Sequence, residues 1–311
     1  MKRDRVLAYV AFAIVCIVWG TTYLAIRVAV RSIPPFLLTA MRFVFAGSVL
    51  FAIARFRGES IPRGKRVIGE IIVVALLMIG VGNLSVVWAE QWVPSGIAAL
   101  LVASAPFWAA LMERFRASGE RIAARRALGM LIGFVGVALL VTPGATGAFD
   151  LHFILGALAI QIGSMAWQYG TMRGKYNLAE VSPFMSSAFQ MIAGGLAVGI
   201  VGLSIGEAHR LAWTRDGIIG LAYLTMFGSL LAYTSYVYAL KKLRVTNMSM
   251  YAYINPLVAV LLGWLILKEQ LTWVSIVAMC IILAGVALVQ TVGRGSNRTV
   301  EIQVPREESA A

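Results

Sequence analysis

The feature that most constrains this chain is that its apolar pattern occurs twice. Trp88-Ala89 lies opposite Tyr238-Ala239, and Pro106 opposite Pro256, each 150 positions later. After a one-residue slip, Glu120 matches Glu269 and Gly136-Val-Ala-Leu139 matches Gly285-Val-Ala-Leu288, each 149 later. At the front of each half, Trp19 matches Trp167, Arg27 matches Lys175 and Pro35 matches Pro183, each 148 later. Composition alone produces single coincidences of this kind, but not a nearly constant offset along most of the chain. The repeated unit reads as about five apolar segments. An odd number of spans per unit forces the two copies into opposite orientations in a membrane, which is the inverted-repeat plan.

The 311 residues are 60% hydrophobic and only 13% charged, against about 25% charged in soluble domains. The apolar runs are roughly 20 residues long, enough to cross a ~30 Å hydrocarbon core. No soluble core could bury ten of them. The fold class is therefore an all-α membrane protein of ten transmembrane helices in two inverted five-helix repeats. The helices are expected near 7–30, 35–54, 69–89, 95–113, 126–142, 151–173, 183–203, 216–239, 246–267 and 271–291. The first repeat is residues 1–145, the second 146–292, and 293–311 is a polar tail expected to be disordered and cytoplasmic. The run from Leu7 to Val30 is too long for a signal-peptide core and reads as a retained first span.

A net charge of +13 would suggest nucleic acid in a soluble protein. Here the basic residues sit in short loops, so they are assigned to topology, with no nucleic-acid partner. With the N-terminus inside, 21 Lys and Arg fall on the cytoplasmic side and 5 outside, namely Arg27, Arg31, Arg210, Arg215 and Lys268. That ratio puts both termini in the cytoplasm of a bacterial-type inner membrane. Cys16 and Cys280 lie in apolar runs and read as small apolar residues. Two histidines far apart offer no metal site, and no cofactor is implied. Gly129-xxx-Gly133, Gly195-xxx-Gly199 and Gly202-xxx-Gly206 either let helices pack closely or are chance spacings among 30 glycines. Thr142-Pro143-Gly144 is expected to end the fifth helix.

Certain stretches resemble a family. These are Ile17-Val-Trp-Gly-Thr-Thr-Tyr23 and Ala40-Met-Arg-Phe43 in the first half. In the second half they are Ile254-Asn-Pro-Leu257, Leu267-Lys-Glu-Gln270 and Gly285-Val-Ala-Leu288. Together they are similar to the EamA-type permeases of the drug/metabolite transporter superfamily, over about residues 7–290. The resemblance implies a central cavity between the repeats, alternating access, and export of amino acids, other small metabolites or toxic compounds. It also implies that helices 5 and 10 are peripheral and can support dimer contacts, leaving a monomer or a homodimer. The first half departs from the pattern with Glu120-Arg121 where the second has Glu269-Gln270.

Several residues are candidates for lining that cavity. Arg42 is the one charge well inside a span. It either holds a substrate carboxylate or serves structure, by pairing with Glu90 or capping backbone carbonyls. Its repeat mate is Gln190. Trp19, Thr22 and Tyr23 share one helix face, and Trp167 and Gln168 answer them in the second half; these line a cavity or pack helices together. Asn83, Trp88, Tyr233 and Tyr238 are further candidates, with Trp88 and Tyr238 read either as paired gates or as belt aromatics. Tyr251 and Asn255 precede Pro256, and Ser104 and Trp108 flank Pro106. The two prolines are expected to kink their helices, which points to the binding region.

No Asp or Glu is expected at mid-depth, so no carboxylate proton relay is visible. The reading is a secondary transporter, an exporter of small metabolites such as neutral or aromatic amino acids, with a multidrug exporter as the alternative. A membrane enzyme is disfavoured because no HExxH, P-loop or paired intramembrane acids occur, and a channel because no ring of charge recurs.

Overall fold

A computed structural model describes residues 2–114, 123–141, 151–267 and 272–292, and every regular element among them is helical. In chain order these are α1 (Lys2–Ala29), α2 (Pro35–Phe56), α3 (Lys65–Ala89), α4 (Ser95–Arg114) and α5 (Ala124–Val141). There follow α6 (Leu151–Asn177), α7 (Pro183–Ser204), α8 (Arg215–Leu240), α9 (Tyr251–Leu267) and α10 (Trp273–Val292). Among the described residues, seven helices are long and apolar enough to cross a membrane: α1 to α4 and α6 to α8. The expected features at Thr142-Pro143-Gly144, Glu120-Arg121, Glu269-Gln270 and the tail 293–311 lie outside the described residues.

Local chemistry sets the helix starts. Pro35 and Pro183 open α2 and α7, where a missing N–H costs nothing. Ser182 caps α7 by accepting from Met185 N at 3.4 Å. Pro34 can offer no such cap to α2. Instead the carboxylate of Glu207, in a short 3₁₀ turn after α7, accepts from Leu37 N at 3.0 Å. In the other half, Glu59, after α2, accepts from the Ser182 hydroxyl. Glu59 and Glu207 are 148 positions apart, the repeat offset. Each half thus reaches across to the start of the other half's second helix.

Small residues set the closest contacts. α2 packs chiefly on α7, and α5 on α10. A β-carbon at Gly195 would lie 3.0 Å from Val44 N, and one at Gly199 would lie 3.0 Å from Ala40 Cβ. One at Gly129 would lie 3.0 Å from Gly285 O, and one at Gly133 would strike the Tyr253 ring at 2.4 Å. These two glycine pairs therefore pack helices. The third expected pair does not: Gly206 has φ of +79° and ends α7 rather than lying on its face.

The proline expectation holds in one half and shifts in the other. Pro106 removes an N–H and crowds the Val102 carbonyl, and α4 is interrupted between Val102 and Ala105. Pro256 sits within α9. The interruption there falls earlier, at Met250, which separates α9 from the short helix Val245–Ser249. Two breaks were not legible in the sequence. α3 widens to a π-helix over Leu76–Asn83 and α8 does so over Leu224–Tyr233, at matching places in the two halves. Such bulges leave the regular ladder and cluster at functional sites.

Candidate functional site

α1 brings Trp19, Thr22 and Tyr23 to the wall of one cavity that is partly open to solvent. α2 adds Arg42 and Phe43; the π segment of α3 adds Gly82 and Asn83; α6 adds Ser164, Trp167 and Gln168. α8 contributes Gly228 and Tyr233, and α9 contributes Tyr251 and Asn255. Both halves of the chain therefore build the same wall.

Its aromatic floor is a continuous ring cluster. The Trp19 ring lies 5.4 Å from Trp167, 5.2 Å from Tyr236 and 4.9 Å from Tyr251, mostly edge to face. Hydrogen bonds fix these rings in place. Trp19 Nε1 donates to Gly228 O at 3.1 Å, a carbonyl in the α8 π segment. Trp167 Nε1 donates to Tyr236 OH at 3.2 Å, which also bonds Thr171 Oγ1 at 2.7 Å. Asn255, with its amide nitrogen turned to the backbone, donates to Cys16 O and Tyr251 O, each at 3.0 Å. Thr22 Oγ1 donates back to Trp19 O at 2.8 Å.

The polar groups on the wall are only partly satisfied. Arg42 is 2% exposed. Its Nε donates to Ser229 Oγ at 3.0 Å and its guanidinium sits 4.6 Å over the Phe43 ring. Its Nη1 has no hydrogen-bond partner. Both side-chain atoms of buried Gln168, and Asn83 Oδ1, are likewise unpartnered. Buried polar atoms normally find a partner, so these atoms leave unused hydrogen-bonding capacity beside the cavity. The expected Arg42–Glu90 pair does not form. Glu90 is buried at the end of α3 with neither carboxylate oxygen hydrogen-bonded. Arg27 is its charged neighbour, and Arg27 Nη1 donates to Glu90 O.

Five sequence candidates lie elsewhere. Ser104 and Trp108 are tied to Gln161 of α6, donating to its Oε1 at 2.9 and 3.1 Å, and they brace α4 rather than line the cavity. Trp88 stacks edge to face on Trp92 at 4.8 Å. Tyr238 is half-buried outside the lining. Gln190 donates to Ser186 Oγ and accepts from Tyr233 OH, both at 2.7 Å, which closes the position equivalent to Arg42. Sequence reasoning missed Gly82, Ser164, Gly228 and Ser229. A glycine and a serine adjacent in an apolar span, as at Gly228-Ser229, were the available signal.

Gly228 is where the wall lies against Arg42. A β-carbon there would lie 3.1 Å from both Arg42 Nη2 and Thr22 Cγ2. Gly228→Ala should therefore leave the fold intact, because the far end of Arg42 can move, but displace the guanidinium. The expected result is a rise in transport KM of roughly three- to tenfold, a loss of about 1 kcal/mol, with kcat little changed.

Cations tie helix ends together at one extremity of the bundle. Lys175 Nζ, near the end of α6, donates to Leu240 O and Leu243 O, both at 2.6 Å. Arg173 holds Glu70 through Nε at 2.7 Å and Nη2 at 2.5 Å, a paired geometry suited to guanidinium. Lys241, just past α8, donates to Ala179 O at 2.8 Å and to Val181 O. Burial holds its ammonium below the usual lysine range, partly offset by the nearby charge of Glu180.

Long apolar helices around one cavity of rings and amides make a membrane protein with an internal chamber, and the family match makes it a transporter. The match to known families is specific. The EamA-like transporter family model matches residues 6–142 and again 154–291, and the chain belongs to that family. It is 34% identical over 279 residues to the Escherichia coli K12 protein described as uncharacterized inner membrane transporter YedA, covering 89% of this chain and 88% of that one. It is 27% identical to the Arabidopsis thaliana chloroplastic WAT1-related protein At3g02690, over 87% of this chain and 66% of the other. A solved crystal structure with 20% identity superposes at a TM-score of 0.74, covering 94% of this chain and 99% of that one.

Proposed function

We propose that the chain is a secondary transporter that exports small metabolites such as amino acids, working by alternating access about the central cavity. In this reading ten spans form two inverted repeats, residues 1–145 and 146–292, with both termini cytoplasmic in a bacterial-type inner membrane. The observation that carries it is the shared wall. Trp19, Arg42 and Asn83 from one half meet Trp167, Gly228 and Asn255 from the other, so rocking one half against the other must remake the site. The family model matches each half separately, and Glu59 and Glu207 cap across the halves at the repeat offset, which supports an internal two-fold relation.

The multidrug alternative would use the same aromatic floor for hydrophobic cations. The buried Arg42 on the wall opposes it, because like charges in a partly desolvated site repel. The test is counterflow in proteoliposomes. Protein loaded inside with unlabelled phenylalanine is expected to accelerate uptake of the labelled amino acid, with saturation. Linear, unaccelerated flux would mark a channel, and broad acceleration by hydrophobic cations would restore the multidrug reading.

A further inference from the structure

The polar groups on the cavity wall are unequal in charge, and the inequality selects a ligand class. Arg42 is the one charged side chain on the wall, and no aspartate or glutamate lines it among the described residues. The guanidinium is only partly satisfied, with a single neutral hydroxyl on Nε and nothing on Nη1. Glu90 does not serve as its counter-ion: its backbone carbonyl is held by Arg27 and it is not part of the wall. A guanidinium that is out of water and lacks a carboxylate partner is a poor structural ion but a ready receptor for an anion. The remaining unpartnered atoms, on Gln168 and Asn83, are neutral amides. Gln168 Oε1 and Asn83 Oδ1 can accept from a hydroxyl or an amine, and Gln168 Nε2 can donate to a hydroxyl or carbonyl oxygen, without demanding any one of them. The aromatic floor of Trp19, Trp167 and Tyr251 offers ring faces and edges to an apolar body.

Resting on the transporter reading above, we infer that the cavity takes an organic carboxylate with an apolar or aromatic body. The carboxylate is held by Arg42, and an α-amino group is dispensable. The site is therefore an acid site rather than an amino-acid site. A 2-hydroxy acid should be accepted as well as the amino acid of the same side chain, because the neutral amides serve either substituent. An amine lacking the carboxylate should be rejected, because it brings a second cation next to Arg42 and leaves Nη1 unpaired.

The test uses four compounds that share one ring: phenylalanine, phenyllactate, phenylalaninamide and phenethylamine. Binding to the purified full chain is read by quenching of tryptophan fluorescence, since Trp19 and Trp167 face the cavity, and export is read by counterflow. The two acids are expected to bind within a few-fold of each other. The amide and amine should be at least roughly 10- to 100-fold weaker, the loss that goes with one charge-assisted contact. Arg42→Lys should keep the order and Arg42→Gln should flatten it. If Arg42→Gln does not fold, the wild-type series and Arg42→Lys still decide. Amine or amide binding as tight as the acids, with saturable flux, would overturn the carboxylate assignment and leave the transporter standing. Phenylalanine bound but phenyllactate rejected would overturn the dispensable amine. No response to any of the four would overturn the carboxylate assignment and leave the transporter family standing.

Discussion

Gly285→Val is expected to remove most of the folded protein from a detergent extract. A β-carbon at Gly285 would lie 2.4 Å from Gly133 N, 2.7 Å from Gly129 O and 2.7 Å from Gly133 Cα. All three are backbone atoms, so no side chain can rotate away, and α10 would have to separate from α5. Overpacking against flexible side chains costs about 1–3 kcal/mol. Against backbone the loss should exceed about 3 kcal/mol, a large share of the 5–15 kcal/mol that holds a typical domain together. The separation would also strain Tyr253, whose hydroxyl donates to Met130 O at 2.6 Å and whose ring lies where a Gly133 side chain would go. Thermal melting of the purified protein should fall by at least about 6 °C, if enough survives to purify. Gly69→Ala is the control, since a β-carbon there meets nothing within 4 Å. Wild-type yield and melting for Gly285→Val would mean that the α5–α10 contact does not hold the fold.

The duplication made much of this architecture legible. The offsets that align Trp19 with Trp167 and Arg27 with Lys175 also align contacts that the sequence could not show. Leu240 lies 150 positions after Glu90. The carbonyls of these two residues accept from Lys175 and Arg27 respectively. The cavity residues on α1 were legible because Trp19, Thr22 and Tyr23 share a helical face and polar atoms at mid-depth need a reason. What one sequence does not carry is the identity of the neighbour. Ser104 and Trp108 looked like cavity residues until Gln161, more than 50 positions away, took both of their donors. Gln190 was visible as the mate of Arg42, but not that Tyr233 and Ser186 would close around it. From sequence, Arg42 either holds a substrate carboxylate, pairs with Glu90 at the outer end of the third helix, or caps backbone carbonyls. In the fold Arg42 turns to Ser229 and lies over Phe43, while Arg27 approaches Glu90. The π segments were hidden because a one-residue widening leaves the apolar period almost unchanged.

Lys175→Met is expected to lower counterflow strongly by unlatching one end of the transporter. Lys175 ties α6 to the end of α8 through two carbonyls, and Arg27 ties α1 to the end of α3. If the halves are inverted repeats, these are the same latch at opposite faces of the membrane, and transport requires them to open in turn. Methionine keeps the length and apolar stem of lysine but removes the ammonium. Loss of a charge-assisted bond of about 1.5–3 kcal/mol would shift the balance between inner-closed and inner-open states by roughly 10- to 100-fold. A thiol reporter reads that shift. With Cys16 and Cys280 replaced, Leu178→Cys places one thiol beside the Lys175 latch, at the edge of a small void that also touches Gln190. With the termini cytoplasmic, as proposed above, an impermeant maleimide on that side should label it at least about tenfold faster in Lys175→Met. Arg27→Met should slow the same labelling, because it loosens the other face and draws the population away. Counterflow should fall in both variants, since a carrier resting too long on either side turns over slowly. The opposite signs in the labelling matter most. A structural loss would raise exposure in both variants alike, whereas two latches on one alternating cavity must move it in opposite directions.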